Sequence, residues 1–449
     1  MSIIYTILIF ILTISIIVTF HEFGHFIAAR LCGVKVLEFS VGFGKRLCGK
    51  KFGFDNTDYK ICALPLGGYV RMLDEREGVV HENEKGRAFN NQSLFKRTVI
   101  VFSGPLFNFI LAIFFYLLIF INGYDGFKPV IYDVVENSIA EDIGIMNGDK
   151  IISINSSKIN TWKDVTLQTI KFASNKNNIN IKILRNNNEI ELDMINYEQI
   201  NFDNKNIIEQ LGVLNFTNKS TTLGYIEQKS PAHESGLLVN DKIISINGKL
   251  VRSWNDIVLV IKNNPEKILN LKIVRDNLEV KLNLKPLQIL KDGKKIGRAG
   301  IGPYVDKEEI LKNKIHVKHS IYQSILLSFE KTYDFTLLTC NFILKLIKGE
   351  TASDGIAGPV GIAGYAADSF NNGYTSFLGL LAMLSISIGI LNLLPIPMLD
   401  GGHLMYYLIE FIIRRPVPDK IQIVAQQLGI TFLILLSFFA LYNDIMRIM

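Results

Sequence analysis

Four long apolar segments limit what this chain can fold into more than any other feature of its sequence. A helix needs roughly 20 apolar residues to cross a bilayer. The segments cover residues 3–20 with a continuation towards Ala29, 98–122, 377–399 and 423–442. A cleavable signal peptide begins with a positively charged region, but no Lys or Arg precedes Arg30 in this chain. We therefore expect the first segment to be a permanent helix. The sequence therefore predicts a polytopic α-helical membrane protein with about four transmembrane helices.

The rest of the chain has the composition of soluble protein. Of the 449 residues, 49% are hydrophobic and 20% are charged, so apolar blocks alternate with aqueous regions. The net charge of +6 is not gathered into a basic tract, which argues against nucleic acid as a partner. The four cysteines follow neither a disulfide framework nor a zinc-knuckle spacing, and we expect free thiols.

Basic residues beside the apolar segments predict the orientation in the membrane. Lysines and arginines concentrate in residues 30–97 and 414–420, which should both be cytoplasmic. Residues 123–375 then lie on the opposite face, the periplasm if the cell is a Gram-negative bacterium. Within that region, residues 320–347 are partly apolar but carry three charges at their middle, which predicts an amphipathic helix that lies in the membrane interface or in the periplasm. We expect an inner (cytoplasmic) membrane protein.

An internal repeat occupies the region between the second and third apolar segments. The sequence DKIISIN of residues 149–155 recurs unchanged at 241–247, an offset of 92 residues. At the same offset Ser138 matches Ser230, Ala140 matches Ala232, Gly144 matches Gly236, Trp162 matches Trp254 and Asp164 matches Asp256. Each copy is predicted to contain a strand, a short helix, a strand, a longer helix and then β-rich sequence.

This order of elements resembles the PDZ domain in its bacterial, circularly permuted form. PDZ domains bind an extended peptide at a sheet edge and often hold its terminal carboxylate on a loop of backbone N–H groups. The candidate loops are Leu211, Gly212 and Val213 in the first copy and Ala299, Gly300 and Ile301 in the second. For each copy taken alone, a glycine-containing turn without a ligand has comparable weight.

The end of the first apolar segment contains a metal-site pattern. In His21-Glu22-Phe23-Gly24-His25, two histidines four residues apart lie on one face of a helix and can share a Zn²⁺ ion. Glu22 is then placed beside the metal as a general base. Ionisable side chains are costly within a membrane helix, which favours function over a polar turn that only ends the span.

A third protein ligand is expected far along the chain. Asp400 follows the third apolar segment and two helix-breaking prolines, so its carboxylate can turn inward. A solvent-facing Asp at a helix stop is the plain alternative. His403 is a competing ligand, placed beyond two glycines where a loop or a new helix should start.

Taken together, these residues are similar to the site-2 protease family, whose pattern is HExxH in the first core span and Asn-x-x-Pro-x-Pro-x-x-Asp-Gly in a later one. The similarity covers nearly the whole chain, and it is closest to the branch with tandem PDZ domains. It implies Zn²⁺ as cofactor and Asp400 as third ligand. It also implies substrate contacts at Asn108, Gly67, Gly68, Tyr69, Asn392 and Pro397. From the residues alone, Asn108 could as easily make a helix–helix hydrogen bond.

The family resemblance implies a reaction as well. A zinc metalloendopeptidase of this type cuts single-span membrane proteins within the bilayer, such as an anti-sigma factor or remnant signal peptides, after or without a first cut by another protease. The active site would lie near the cytoplasmic side. Two alternatives remain open on the sequence: a PDZ-bearing membrane scaffold with a non-catalytic metal site, and a metal transporter, which should present more intramembrane carboxylates.

The predicted domain organisation follows from these features. Residues 1–126 form an N-terminal transmembrane core with the metal helix, a β loop and the second span. Residues 127–219 and 220–308 form the two PDZ domains, 309–375 an amphipathic helical connector, and 376–449 a C-terminal transmembrane core that carries the Asp ligand.

Overall fold

The computed structural model describes residues 3–174, 177–196, 198, 200, 210–214, 220–291, 294–349 and 358–448. Its helices are α1 (Ile3–Leu31), α2 (Leu94–Asn122), α3 (Ile139–Asp142), α4 (Trp162–Ser174), α5 (Pro231–Glu234), α6 (Trp254–Lys262), α7 (Lys307–Asn313), α8 (Ile321–Ile347), α9 (Pro359–Asn371), α10 (Tyr374–Leu393), α11 (Asp400–Ile413) and α12 (Asp419–Ile448).

The strands are β1 (Val36–Phe52), β2 (Thr57–Met72), β3 (Tyr124–Phe127), β4 (Asp133–Val134), β5 (Lys150–Ile154), β6 (Ser157–Lys158), β7 (Ile181–Arg185), β8 (Asn188–Glu191), β9 (Val213–Leu214), β10 (Leu223–Ile226), β11 (Lys242–Ile246), β12 (Lys249–Leu250), β13 (Leu269–Arg275), β14 (Leu278–Leu284), β15 (Leu287–Lys291), β16 (Lys294–Arg298), β17 (Ile301–Pro303) and β18 (Lys314–Val317). The chain divides into two compact units, one of residues 1–124 and 318–449 and the other of residues 125–317.

Four of the helices in the first unit are long and apolar enough to cross a membrane, as predicted: α1, α2, α10 and α12. The third segment ends earlier than expected. Leu394 leaves the helical conformation and closes α10, with Pro395 following, so the predicted span to residue 399 is wrong over its last turns. Residues 321–347 form the single helix α8, which begins at a capping box on Ser320.

The core of the first unit lies between α1, α2 and α10. Ile17, Leu111, Leu381 and Ile386 are almost completely buried there. A Cβ atom at Gly24 would lie 2.4 Å from the carbonyl oxygen of Ser103, so α1 and α2 approach each other closely only because this residue is glycine. This close crossing brings the middle of α2 against the metal-site face of α1.

Strands β1 and β2 form a sheet that folds back on itself. Residues 36–41 pair antiparallel with 68–72, and on their other side they run in the same direction as 58–61. The ends of the two strands, 48–52 and 57–61, form an antiparallel hairpin. Within the described residues, 68–72 is therefore an edge of this sheet whose outer side pairs with no strand.

The second unit contains two four-stranded sheets of identical topology. Their strand orders are β6-β5-β7-β8 and β12-β11-β13-β14, and each copy has a further two-stranded pairing, β4-β9 in the first and β10-β17 in the second. Trp162 and Trp254 begin the helix of each copy and are both 8% exposed. The internal repeat of the sequence is thus a structural repeat.

Each repeat contains one buried aspartate paired with an arginine. Arg185 donates to both carboxylate oxygens of Asp149 at 2.8 and 2.7 Å, and Arg275 donates to those of Asp241 at 2.8 Å each. A backbone N–H adds a further bond of 2.8 Å to each carboxylate. The repeated aspartate therefore closes the turn before β5 and β11, and its charge is fully compensated.

Candidate metal centre

Helix α1 places its two histidines as the sequence predicts. His21 is buried and His25 is half-buried, and their Nε2 atoms lie 3.2 Å apart on one face of the helix. The Glu22 side chain leaves the helix about 100° away from that of His21, because it is the next residue along α1. The spacing of four residues thus gives a pair of facing imidazole nitrogens.

Asp400 comes from the first turn of α11. The preceding loop turns sharply, and Gly401 and Gly402 pack so tightly against it that Cβ atoms there would lie 2.2 and 2.5 Å from the carbonyl oxygens of Leu394 and Ile396. Asp400 Oδ2 lies 3.1 Å from His21 Nε2 and 3.5 Å from His25 Nε2. Three potential metal-ligand atoms, from two helices far apart in the sequence, therefore converge.

Two backbone groups lie around this cluster. The carbonyl oxygen of Ile100 on α2 lies 2.9 Å from His25 Nδ1 and can accept a hydrogen bond from Nδ1–H. With its proton on Nδ1, the imidazole has the lone pair of Nε2 free to bind a metal. A Cβ atom at Gly104, one turn further along α2, would lie 2.2 Å from His25 Nε2 and 2.8 Å from His21 Nε2. The absence of a side chain at Gly104 keeps the space in front of the two nitrogens clear.

Glu22 borders the free edge of the β1–β2 sheet. The Val70 backbone N–H faces the Glu22 carboxylate. A Cβ atom at Gly68 would lie 3.3 Å from Glu22 Cγ. The unpaired side of residues 68–72 thus lies beside the carboxylate that the HExxH pattern assigns as general base.

Tyr69 is fixed within the sheet. Its hydroxyl donates to Glu38 Oε2 at 3.0 Å, and its ring stacks on Phe43 with the centroids 6.1 Å apart. The Lys60 ammonium binds the same carboxylate, which lowers the pKa of Glu38 and raises the pKa of Lys60 to about 12. The side chain of Tyr69 therefore anchors strand β2 to β1 through Glu38 and Phe43.

Comparison with known proteins places these residues in a family. The model of peptidase family M50 matches residues 9–436. The Escherichia coli regulator of sigma-E protease RseP is 34% identical over 449 residues, covering 98% of both chains. A Vibrio cholerae protein assigned to the zinc metalloproteases is 37% identical over 444 residues, also covering 98% of both.

The chain belongs to peptidase family M50. It is an intramembrane metalloprotease of the site-2 type, in agreement with the family expected from the sequence. The scaffold and transporter alternatives are thereby set aside.

His21, His25 and Asp400 have the spacing that tetrahedral coordination of a metal ion needs. With metal–ligand distances of about 2.0–2.1 Å, neighbouring ligand atoms of a tetrahedral site lie about 3.3 Å apart. The three separations here are 3.1, 3.2 and 3.5 Å. His21, His25 and Asp400 also form the group of potential metal ligands found among the described residues, and His403 is not part of it. These residues fit a metal ion with one coordination position left open.

The other residues implied by the resemblance lie at several places. Asn108 is completely buried on α2, with its amide Nδ2 3.2 Å from His21 Nδ1. Asn392 is half-buried in the last turn of α10, and Pro397 lies in the following loop, where its carbonyl oxygen meets Gly429 of α12. His403 packs edge-on against Tyr406 one turn after Asp400.

The two loops predicted to bind peptide contain glycines with positive φ. Gly212 has φ +78° and Gly300 has φ +76°, and their carbonyls accept bonds of 2.8 Å from Val135 and Glu227. Beside the second loop, a cavity of about 450 Å³ lies between α6 and β17 and is lined partly by Ile257, Ile261 and Ile301.

Sequence reasoning assigned no role to Gly104 or Ile100, and it did not foresee that the Val70 backbone lies beside Glu22. Gly104 lies four residues before Asn108, which the family resemblance singled out, so a signal close to it existed. Ile100 and Val70 act through backbone atoms, which leave no trace in the choice of side chain.

Proposed function

We propose that this chain is a zinc endopeptidase that cuts single-span membrane proteins within the bilayer, with His21, His25 and Asp400 as metal ligands and Glu22 as general base. The convergence of one carboxylate oxygen and two imidazole nitrogens at tetrahedral spacing is the observation that carries this proposal. Two imidazoles and one carboxylate are a usual ligand set of catalytic zinc.

The chain's own residues supply the steps around the metal. When bound, zinc would polarise the peptide carbonyl and acidify a water molecule. Glu22 accepts the proton of the attacking water and returns it to the leaving nitrogen, so that one water is consumed as the C–N bond breaks. The base then carries no net proton after one turnover.

Substrate binding is proposed at the edge formed by Gly67, Gly68, Tyr69 and Val70. A peptide bond within a helix is shielded by its own hydrogen bonds, so the substrate must be extended before attack. The unpaired side of residues 68–72 can add an extended strand directly beside Glu22. Asn392 and Pro397, close to Asp400 in the chain, are proposed to contact the substrate on the opposite side.

A direct test uses the purified full chain in detergent with a single-span peptide as substrate. We expect one zinc per chain and cleavage sites inside the apolar segment when products are mapped by mass spectrometry. Glu22→Gln should keep the zinc and lose about 10²–10⁴-fold in turnover. Zinc binding with undiminished turnover in Glu22→Gln would exclude this mechanism.

We propose a bacterial inner membrane location, with the second unit in the periplasm and the metal site near the cytoplasmic side. By analogy with RseP, whose name states that it regulates sigma-E, the substrate would be an anti-sigma factor or another signalling protein.

One membrane crossing, α2, separates Glu82 from Lys249 along the chain. Single cysteines at these positions should react with an impermeant reagent from opposite sides, and labelling from one side would disprove the topology.

For the two repeats we propose PDZ folds with the predicted boundaries 127–219 and 220–308. They would act as a size filter that admits a membrane stub trimmed by another protease, or else recruit a new carboxyl terminus through the Gly212 and Gly300 loops. The entering and leaving chains are joined by a bond of 2.9 Å from Lys128 N–H to the Asn313 carbonyl, so residues 129–312 can be replaced by a short linker. A filter's removal should let untrimmed substrate be cut, whereas a recruiter's removal should slow cutting of the trimmed one.

A further inference from the structure

The position of Asn108 distinguishes the two roles considered for it, a hydrogen bond between helices and a contact with substrate. Its side chain is completely buried between α2 and the metal helix, so a substrate has no access to it. Its backbone is held as well, because Ser385 of α10 donates a bond of 2.8 Å to the Asn108 carbonyl. A Cβ atom at Gly389, one turn further along α10, would lie 3.2 Å from Asn108 Cβ. Three helices thus fix this residue in place.

The amide faces the non-ligating side of His21. Asn108 Nδ2 lies 3.2 Å from His21 Nδ1, while Asn108 Oδ1 is buried and has no hydrogen-bond partner in the part of the chain that is described. His21 Nε2 faces Asp400 Oδ2 and His25 Nε2, so its lone pair is the one offered to a metal. A neutral imidazole that binds a metal through Nε2 carries its proton on Nδ1.

Two N–H donors cannot form a hydrogen bond with each other. Turning the amide by 180° places Oδ1 opposite His21 Nδ1–H and removes this conflict, and it leaves the number of unpaired amide atoms unchanged. His25 already has the same arrangement, with Nδ1 2.9 Å from the Ile100 carbonyl oxygen. Each histidine would then donate its outer proton to an oxygen of α2.

We propose that Asn108 is a positioning residue for the metal centre. Its Oδ1 accepts a hydrogen bond from His21 Nδ1–H and thereby fixes the tautomer and ring orientation of His21. This inference rests on the proposed ligand set and replaces the predicted substrate contact at Asn108. Outer partners of metal-binding histidines typically contribute 10–100-fold to metal affinity.

The test measures zinc affinity of the full chain in detergent by competition with a chromophoric chelator. Asn108→Leu and Asn108→Ala remove the acceptor and should weaken zinc binding by about 10–100-fold. Asn108→Asp keeps an acceptor oxygen and should stay within about threefold of wild type, since a carboxylate is also a common outer partner of such histidines. Thr13→Val is the control, because Thr13 is equally buried on α1 but bonds only to the Ile9 carbonyl of its own helix.

Two results would overturn the proposal. Unchanged zinc affinity in Asn108→Leu or Asn108→Ala, with a raised KM, would return Asn108 to substrate binding. A loss in Asn108→Asp as large as in Asn108→Leu would show that the amide N–H, not its oxygen, is required. The visible spectrum of bound Co²⁺ in the same variants reports ligand geometry independently of turnover. Failure of the metal proposal itself appears differently, as absence of stoichiometric zinc in the wild type.

Discussion

Carboxylates shielded from solvent occur in both units, fully buried at Asp149 and Asp241 and partly buried at Asp400, and their surroundings differ. In the second unit, Asp149 and Asp241 are each held by an arginine and a backbone N–H, so every charge has a partner within the protein. In the first unit, Asp400 Oδ2 lies 3.1 Å from His21 Nε2 and 3.5 Å from His25 Nε2, so its nearest partners are two imidazole nitrogens. Asp149 and Asp241 are thus each paired with an arginine, whereas Asp400 faces two histidines that together with it fit a metal ion.

Removal of the third ligand should have the largest effect. Asp400→Ala leaves two protein ligands, and we expect zinc to be lost and cleavage to fall by at least about 10²–10⁴-fold, since the general base loses the water that it serves. His403→Ala, one turn along α11, should keep both. Metal content by mass spectrometry and peptide cleavage measure this difference. The reverse outcome would make His403 the ligand.

The space in front of the histidines can be tested without touching a ligand. Gly104→Ala places a methyl group 2.2 Å from His25 Nε2, which forces the ring to shift, and zinc affinity should fall by about tenfold or more. Gly364→Ala is the matched control, because no heavy atom lies within 4 Å of a Cβ atom at that helical glycine of α9. It should stabilise the helix by about 1 kcal/mol. Equal zinc affinity in the two variants would refute the need for open space at Gly104 in front of the two histidines.

The arginine partner should matter for stability alone. Arg275→Met leaves the Asp241 carboxylate buried and unpaired, and we expect a loss of about 3 kcal/mol in the free energy of unfolding of the second unit. The chain's two tryptophans, Trp162 and Trp254, both lie in that unit, so their fluorescence in urea reports its unfolding selectively. Zinc content should not change. A parallel loss of zinc would contradict the division of roles between the two units.

The smallest effect is expected at a partly exposed carboxylate. Glu38→Gln removes the partner of Lys60 and Tyr69 and should raise KM by no more than about fivefold, in keeping with exposed ion pairs. The hydrogen bond from Lys60 lowers the pKa of Glu38, so this carboxylate stays charged at pH values below its ordinary pKa. Lys60, with a pKa of about 12, stays charged at any working pH. The ratio of mutant to wild-type KM should therefore be flat from about pH 6 to 9. A ratio that changes within this window would mean that another group controls the edge.

The sequence alone predicted the membrane helices, the repeat and all four residues of the proposed centre, namely His21, Glu22, His25 and Asp400. Helical periodicity fixes His21 and His25 on one face, and a long apolar run leaves few structures other than a spanning helix. The identical DKIISIN segments fold identically because their turn, buried Asp and core positions are set by local sequence.

Only the tertiary structure decided which atoms complete the site. The approach of Asp400 depends on a helix break at Leu394 and on close packing at Gly401 and Gly402, contacts between residues whose pairing no local pattern encodes. The same holds for Ile100 and Val70, which contribute through the backbone, and for Asn108, whose burial rather than its type separates a positioning role from a substrate contact. Side-chain patterns record which groups are available, and packing decides where their atoms meet.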